Sequence, residues 1–319
     1  MAQQAASSSA KKVFSYDQVF GSSAGGRGAR DDSGITAQLP EITGWADDSH
    51  YLEMRFDPAD KQRRVVSISV ADGSAQVYRD YNEIQKNLPE GFSAQSAAAV
   101  TPDLTRFIFL QDGDLCFYDE AAKSFRRLTA TPGKEQNPRF SPNGKWIAYT
   151  RDHNLYVYDL ENFVEHQYTS DGSETVYNGW DSWVYYEEIL GRASRYAAFW
   201  WSPDSTQLAY MGFDDGPVPV FPIYHADGQH GEFESQRYPK AGDPNPFAQM
   251  GVLKVAEGKT VWMDFEARAD HYIAWPFWTA DSKTLTVQWM NRGQDTIRFY
   301  NCDPATGKKV SIFEEKQSS

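Results

Sequence analysis

Apolar and polar positions alternate along this chain in short runs that share one order. An aromatic or apolar residue leads into a small-Pro-Asp/Asn turn, and an alternating strand follows. The clearest copy is Phe140-Ser141-Pro142-Asn143-Gly144, running into Lys145-Trp146-Ile147-Ala148-Tyr149 and then Asn154-Leu155-Tyr156-Val157-Tyr158-Asp159. Trp201-Ser202-Pro203-Asp204-Ser205 before Leu208-Ala209-Tyr210 is a second. Val100-Thr101-Pro102-Asp103 before Phe107-Ile108-Phe109-Leu110 is a third, and Trp278-Thr279-Ala280-Asp281-Ser282 before Leu285-Thr286-Val287 a fourth. The weakest is Trp45-Ala46-Asp47-Asp48-Ser49 before Tyr51-Leu52-Glu53-Met54. Proline presets the first turn position, and Asp or Asn with Gly or Ser tolerates the next, so each turn predicts a hairpin. Copies starting at 46, 101, 141, 202 and 279 lie 40 to 77 residues apart. The shortest spacing matches a bare β-propeller blade of about 40 to 50 residues, and the longer ones imply insertions. The pattern predicts an all-β fold, a β-propeller of about five visible blades over 41–315, with insertions at about 163–196 and 216–250. A β-sandwich is the alternative. Residues 1–40 read as a flexible segment with a Ser/Gly-rich linker.

Composition narrows the partners. Aromatics make up 15% of the 319 residues, which suits strands. A formal net charge of −13 disfavours nucleic acid and tolerates a cationic ligand. Cys116 and Cys302 stand in unrelated contexts without metal-ligand spacing, so neither a disulfide framework nor a metal site is expected, and no cofactor is implied. No run of about 18 apolar residues exists to span a bilayer. Met1–Ala10 lacks the apolar stretch of a signal peptide. Either the chain is cytosolic or a leader precedes its numbering.

The chemistry concentrates where the repeat is interrupted. Trp183-Val184-Tyr185-Tyr186-Glu187-Glu188 places two adjacent carboxylates behind an aromatic run, twelve residues before Trp200. Two carboxylates in a partly enclosed cavity attract an ammonium far more strongly than in bulk water. Adjacent residues on an α-helix diverge by about 100°, so converging acids need a short or irregular turn. A plainer role is open too: Glu188 and Arg192 stand four apart and suit a helix-surface ion pair. Tyr185 and Tyr186 either line the cavity or pack against Trp183.

These residues carry a resemblance. Trp183–Glu188, Phe199-Trp200-Trp201-Ser202-Pro203, Tyr177-Asn178-Gly179-Trp180-Asp181 and Tyr238-Pro239-Lys240-Ala241-Gly242-Asp243-Pro244-Asn245-Pro246 resemble the propeller of the dipeptidyl-peptidase IV family. The similarity runs in order from about Phe14 to Gly307. It implies that this chain supplies the first blades of an eight-bladed propeller capping an α/β-hydrolase domain with a Ser-Asp-His triad. The implied enzyme removes N-terminal Xaa-Pro and Xaa-Ala dipeptides. By matching position, Glu187 and Glu188 would hold the peptide's free N-terminal ammonium, with Tyr185 and Tyr186 beside them. The segment 217–246 would build a homodimer contact, and relatives in bacteria imply an exported or periplasmic location.

The catalytic half is not visible here, and no catalytic residue is assigned. The only Gly-x-Ser-x-Gly, Gly21–Gly25, lies in a Ser/Gly-rich stretch ahead of the propeller, without the strand and helix of a nucleophile elbow. The family's backbone-gripping arginine has no clear match; Arg106, Arg126 and Arg127 lie in the right blade. A stand-alone or inactive propeller that binds peptides or scaffolds is the competing expectation.

Overall fold

The computed structural model describes residues 39–317 except 58 and 60. The expected linker and the Gly21–Gly25 motif lie outside the described residues. Two compact units are present, the first ending at Arg79 and the second running from Asp80.

In the first unit, β1 (Glu41–Asp47), β2 (His50–Asp57), β3 (Gln62–Ser69) and β4 (Ala75–Asp80) pair in chain order. The weakest repeat copy becomes the tight β1–β2 hairpin, in which Asp47 accepts the Ser49 N–H at 2.8 Å.

In the second unit, β5 (Ala99–Val100), β6 (Arg106–Gln111), β7 (Asp114–Asp119) and β8 (Ser124–Arg127) form one antiparallel meander. The next contains β9 (Gln136–Phe140), β10 (Trp146–Arg151), β11 (Asn154–Asp159) and β12 (Val164–Gln167). A larger sheet follows, built from β13 (Val176–Asn178), β14 (Phe199–Trp201) and β15 (Gln207–Asp214). After a separate hairpin of β16 (Val220–His225) and β17 (Glu232–Arg237), it is completed by β18 (Phe247–Lys254) and β19 (Lys259–Trp262). The last meander is β20 (His271–Trp278), β21 (Leu285–Asn291), β22 (Thr296–Cys302) and β23 (Lys309–Lys316). Each four-stranded antiparallel meander is a propeller blade. The expected insertions are narrower than drawn: β12 and β18 are regular blade strands. Within these two stretches the extra chain is the excursion between β13 and β14 and the β16–β17 arm.

Four repeat turns share one mechanism. The hydroxyls of Thr101, Ser141, Ser202 and Thr279 donate to Asp103, Asn143, Asp204 and Asp281 at 2.6–2.7 Å. The following residue then adopts positive φ: Leu104, Gly144, Ser205 and Ser282 lie between 56° and 68°. These turns also link successive blades. Arg106 donates to the Gly144 carbonyl at 2.6 Å, and the N–H groups of Asn143 and Asp204 donate to Ser205 and Ser282 hydroxyls at 3.0 Å.

Central strands are covered on both faces, and their alternation feeds two cores at once. On β10, Ile147 and Tyr149 join Ile108, Leu115 and Phe117 of the preceding blade, while Ala148 faces Leu208 and Tyr210. On β15, Ala209, Met211 and Phe213 point the other way, onto Ile273, Leu285 and Val287. A one-residue slip would exchange these sets, so the register is strongly specified.

Candidate functional site

The excursion that carries the paired acids leaves its sheet after β13 and returns at β14, and its ends are zipped together. Trp180 pairs with Ala197, the Ala198 N–H donates to Gly179 and the Asp181 N–H to Tyr196, both at 2.9 Å. Gly179 opens it at φ 70°, against Leu155, where a side chain would be both strained and crowded. Two buried aspartates tie the base. Asp181 accepts from the Ser194 hydroxyl at 3.1 Å, and Asp215 from the Ser182 hydroxyl at 3.0 Å. Burial pushes both carboxyls up to about 7, since an apolar surrounding disfavours the charged form.

From this base the chain turns into a short helix that widens into a π turn over Tyr185–Ile189, closed by the Leu190 N–H donating to the Tyr185 carbonyl at 2.7 Å. Such turns are rare and concentrate at functional sites. Widening the turn narrows the angle between neighbouring side chains, and of the two acids only Glu188 lines a cavity. The π turn also corrects the expected ion pair. Arg192 engages Glu187, five residues away, rather than Glu188, because the extra residue per turn brings i+5 onto the same face. The Arg192 Nε lies 2.6 Å from Glu187 Oε2, a second contact joins Nη2 to Oε1, and together they hold the Glu187 carboxyl below its ordinary value. Glu188 is exposed and faces a cavity of about 370 Å³ shared with Val184, Ile189, Lys240, Trp275 and Arg292.

The two tyrosines part company. Tyr186 lines a larger cavity of about 1770 Å³, in which it stacks on Tyr196 at 3.8 Å and Tyr196 stacks on Trp180 at 4.7 Å. Tyr185 was expected beside the ligand and instead lies in the core, 1% exposed. Its ring packs on Phe213 at 4.7 Å and its hydroxyl accepts the Ile273 N–H at 3.1 Å. A buried phenol needs such a partner, and the bond pins the underside of the acidic turn to β20.

The larger cavity is bordered by β5, β9 and β14 as well as by the excursion. Arg139, Arg195, Arg237, Glu174 and Asp181 are its charged side chains, with His153 against Trp180 and Tyr177. Burial draws the Arg139 guanidinium below its ordinary value, and it donates to the Phe199 carbonyl at 3.1 Å.

The three arginines considered from sequence are each tied to local structure. Arg106 bonds Gly144 and lies 3.4 Å from Asp119, Arg126 covers the Phe163 ring at 3.9 Å, and Arg127 pairs with Asp114. Sequence reasoning missed Asp181, Ser182, Asp215 and Tyr196. The only available signal was the tripeptide Trp180-Asp181-Ser182 preceding the acids; the Ser182–Asp215 contact spans 33 residues. The β16–β17 arm exposes Val220, Phe221, Tyr224 and Phe233.

Comparison with known proteins identifies the family and the fold. Residues 96–319 match the family model described as the dipeptidyl peptidase IV (DPP IV) N-terminal region. Prolyl endopeptidase FAP of Mus musculus is 32% identical over 194 residues, covering 58% of this chain and 25% of the relative. A protein of Aspergillus flavus named "Probable dipeptidyl peptidase 4" is 33% identical over 208 residues, covering 61% of this chain and 26% of the relative. The chain thus spans about a quarter of the length of these relatives. The crystal structure of Porphyromonas gingivalis dipeptidyl peptidase 4 superposes with a TM-score of 0.69 at 24% identity, over 88% of this chain and 40% of that one. That likeness shows the fold, a β-propeller.

Proposed function

The chain belongs to the dipeptidyl peptidase IV N-terminal region family, and from that premise we propose that it is the substrate-gating propeller of a serine exopeptidase removing N-terminal Xaa-Pro and Xaa-Ala dipeptides. Glu187 and Glu188 receive the peptide's free N-terminal ammonium. The observation that carries this reading is the π turn, which sets both acids on one short, pinned segment beside two cavities. In the resting state Arg192 occupies Glu187, so an incoming ammonium competes with it there while Glu188 stands open. Tyr186 borders the adjoining cavity, and Tyr185 acts from beneath by fixing the turn. The chemistry itself belongs to a hydrolase domain elsewhere in a longer protein with an eight-bladed propeller, working in the periplasm or another exported compartment. The apolar side chains on the β16–β17 arm suit a homodimer contact through 217–246.

The test is to read the gene past codon 319 for a downstream hydrolase domain, then assay Ala-Pro anilide cleavage by that full protein. Glu187→Gln and Glu188→Gln should each raise KM strongly. Wild-type kinetics in the double variant would refute the assignment, and an in-frame stop after codon 319 would leave a peptide-binding propeller.

A further inference from the structure

The larger cavity, which the turn of the paired acids reaches only through Tyr186, has the opposite electrostatic character. Three arginines and two acids line it, in a chain whose net charge is −13. One of those acids, Asp181, is buried and partly protonated near neutrality, so it offsets less than a full charge. Arg139 and Arg237 spend donors on backbone carbonyls, Arg139 on Phe199 and Arg237 on Asp215 and Val218. Arg195 differs. Its guanidinium makes no hydrogen bond or ion pair among the described residues, and its side chain is exposed at the cavity wall.

Arg195 is also held there at a conformational cost. Arg195 and Tyr196 adopt positive φ in succession, 53° and 69°. For a residue as bulky as tyrosine this is an outlier that persists only where the surroundings over-determine it. The surroundings enforce it: Ser194 is tied to Asp181, the Ala197 N–H donates to Ser194 at 3.0 Å, and Tyr196 is sandwiched between Trp180 and Tyr186. Packing explains the position of Tyr196. Arg195 ends the short helical turn 192–194, its N–H donating to the Arg192 carbonyl at 3.2 Å, and that bond leaves its guanidinium free at the cavity wall.

We propose that Arg195 forms a carboxylate subsite in this cavity, which takes an anionic group of the bound peptide some residues beyond its N-terminus. The identity of the ligand as a peptide rests on the reading above; the carboxylate preference rests on the cavity. An acidic side chain and the C-terminal carboxylate of a short peptide offer the same chemistry. The stacked Trp180–Tyr196–Tyr186 wall supplies flat apolar surface for the intervening backbone.

The experiment is calorimetric titration of the 319-residue chain at low salt with Ala-Pro-Ala-Glu and Ala-Pro-Ala-Gln, each with a free and an amidated C-terminus. Peptides carrying a carboxylate should bind about fivefold tighter than the uncharged Gln amide, the scale of a solvent-accessible ion pair. The Glu amide against the Gln acid identifies which carboxylate is used. Arg195→Gln should erase the preference and Arg195→Lys should retain part of it, with far-ultraviolet circular dichroism confirming the fold. Equal affinities in the wild type, a preference surviving in Arg195→Gln, or no binding of any of the four would overturn the proposal. N-acetylated versions separate it from the ammonium reading. If acetylation changes nothing while the Arg195-dependent preference persists, the Glu pair assignment fails and the carboxylate subsite stands.

Discussion

Replacing Tyr185 by Phe removes one oxygen and little else, which makes it a clean probe of how the acidic turn is held. The ring stays against Phe213 at 4.7 Å, so no cavity opens. What disappears is the acceptor for the Ile273 N–H, 3.1 Å away, in a place where Tyr185 is 1% and Ile273 0% exposed. Water cannot substitute, and an orphaned buried donor costs about 1–3 kcal/mol. For a unit the size of Asp80–Ser319 each kcal/mol lowers the melting temperature by about 2–4 °C, giving a fall of roughly 2–12 °C. Scanning calorimetry measures it. Hydrogen exchange adds a local readout, since the Leu190 N–H that closes the π turn should exchange faster in the variant. An unchanged melting temperature with unchanged exchange at Leu190 would refute the idea that this hydroxyl anchors the turn.

Two further outcomes follow from buried charge. Asp181 and Asp215 bind protons more tightly folded, at about 7, than in the open chain, at 3.8. The stability they permit is therefore full below about pH 3.8 and is lost as the pH rises through about 7, at up to about 1.4 kcal/mol per pH unit for each. Asp181→Asn and Asp215→Asn should flatten the fall in urea midpoint between pH 5 and pH 8, and slopes equal to wild type would contradict the burial argument. Arg151 sits between Glu135, 0% exposed at the side chain, and Glu165, at 2.8 and 2.9 Å. Arg151→Met strands Glu135 without its cation, and urea denaturation should show a loss of about 3–5 kcal/mol; a loss below about 1 kcal/mol would contradict the reading of a buried ion pair.

Much of the blade pattern was legible because its turns are local. The Ser/Thr-x-Asp/Asn hydroxyl bond and the positive-φ residue after it lie within four positions, so 101, 141, 202 and 279 could be read directly. The acidic pair was visible as a break in that pattern. Its supports were not. Tyr185 and Tyr186 are adjacent and chemically alike, and only the three-dimensional path sends one into the core and the other to the cavity. The pairing of Arg192 with Glu187 depends on a π turn that has no period in the sequence, so counting four residues named the wrong acid. Asp215 reaches Ser182 across the sheet, beyond any local rule.

The central claim is that Glu187 and Glu188 hold a peptide ammonium, and one comparison tests it most directly. The chain should bind Ala-Pro-Ala amide measurably more tightly than its N-acetylated counterpart in calorimetry. That difference should vanish in Glu187→Gln/Glu188→Gln while the fold, by circular dichroism, is unchanged. Equal binding of the free and acetylated peptides by the wild type, or a difference that survives the double substitution, would contradict the account.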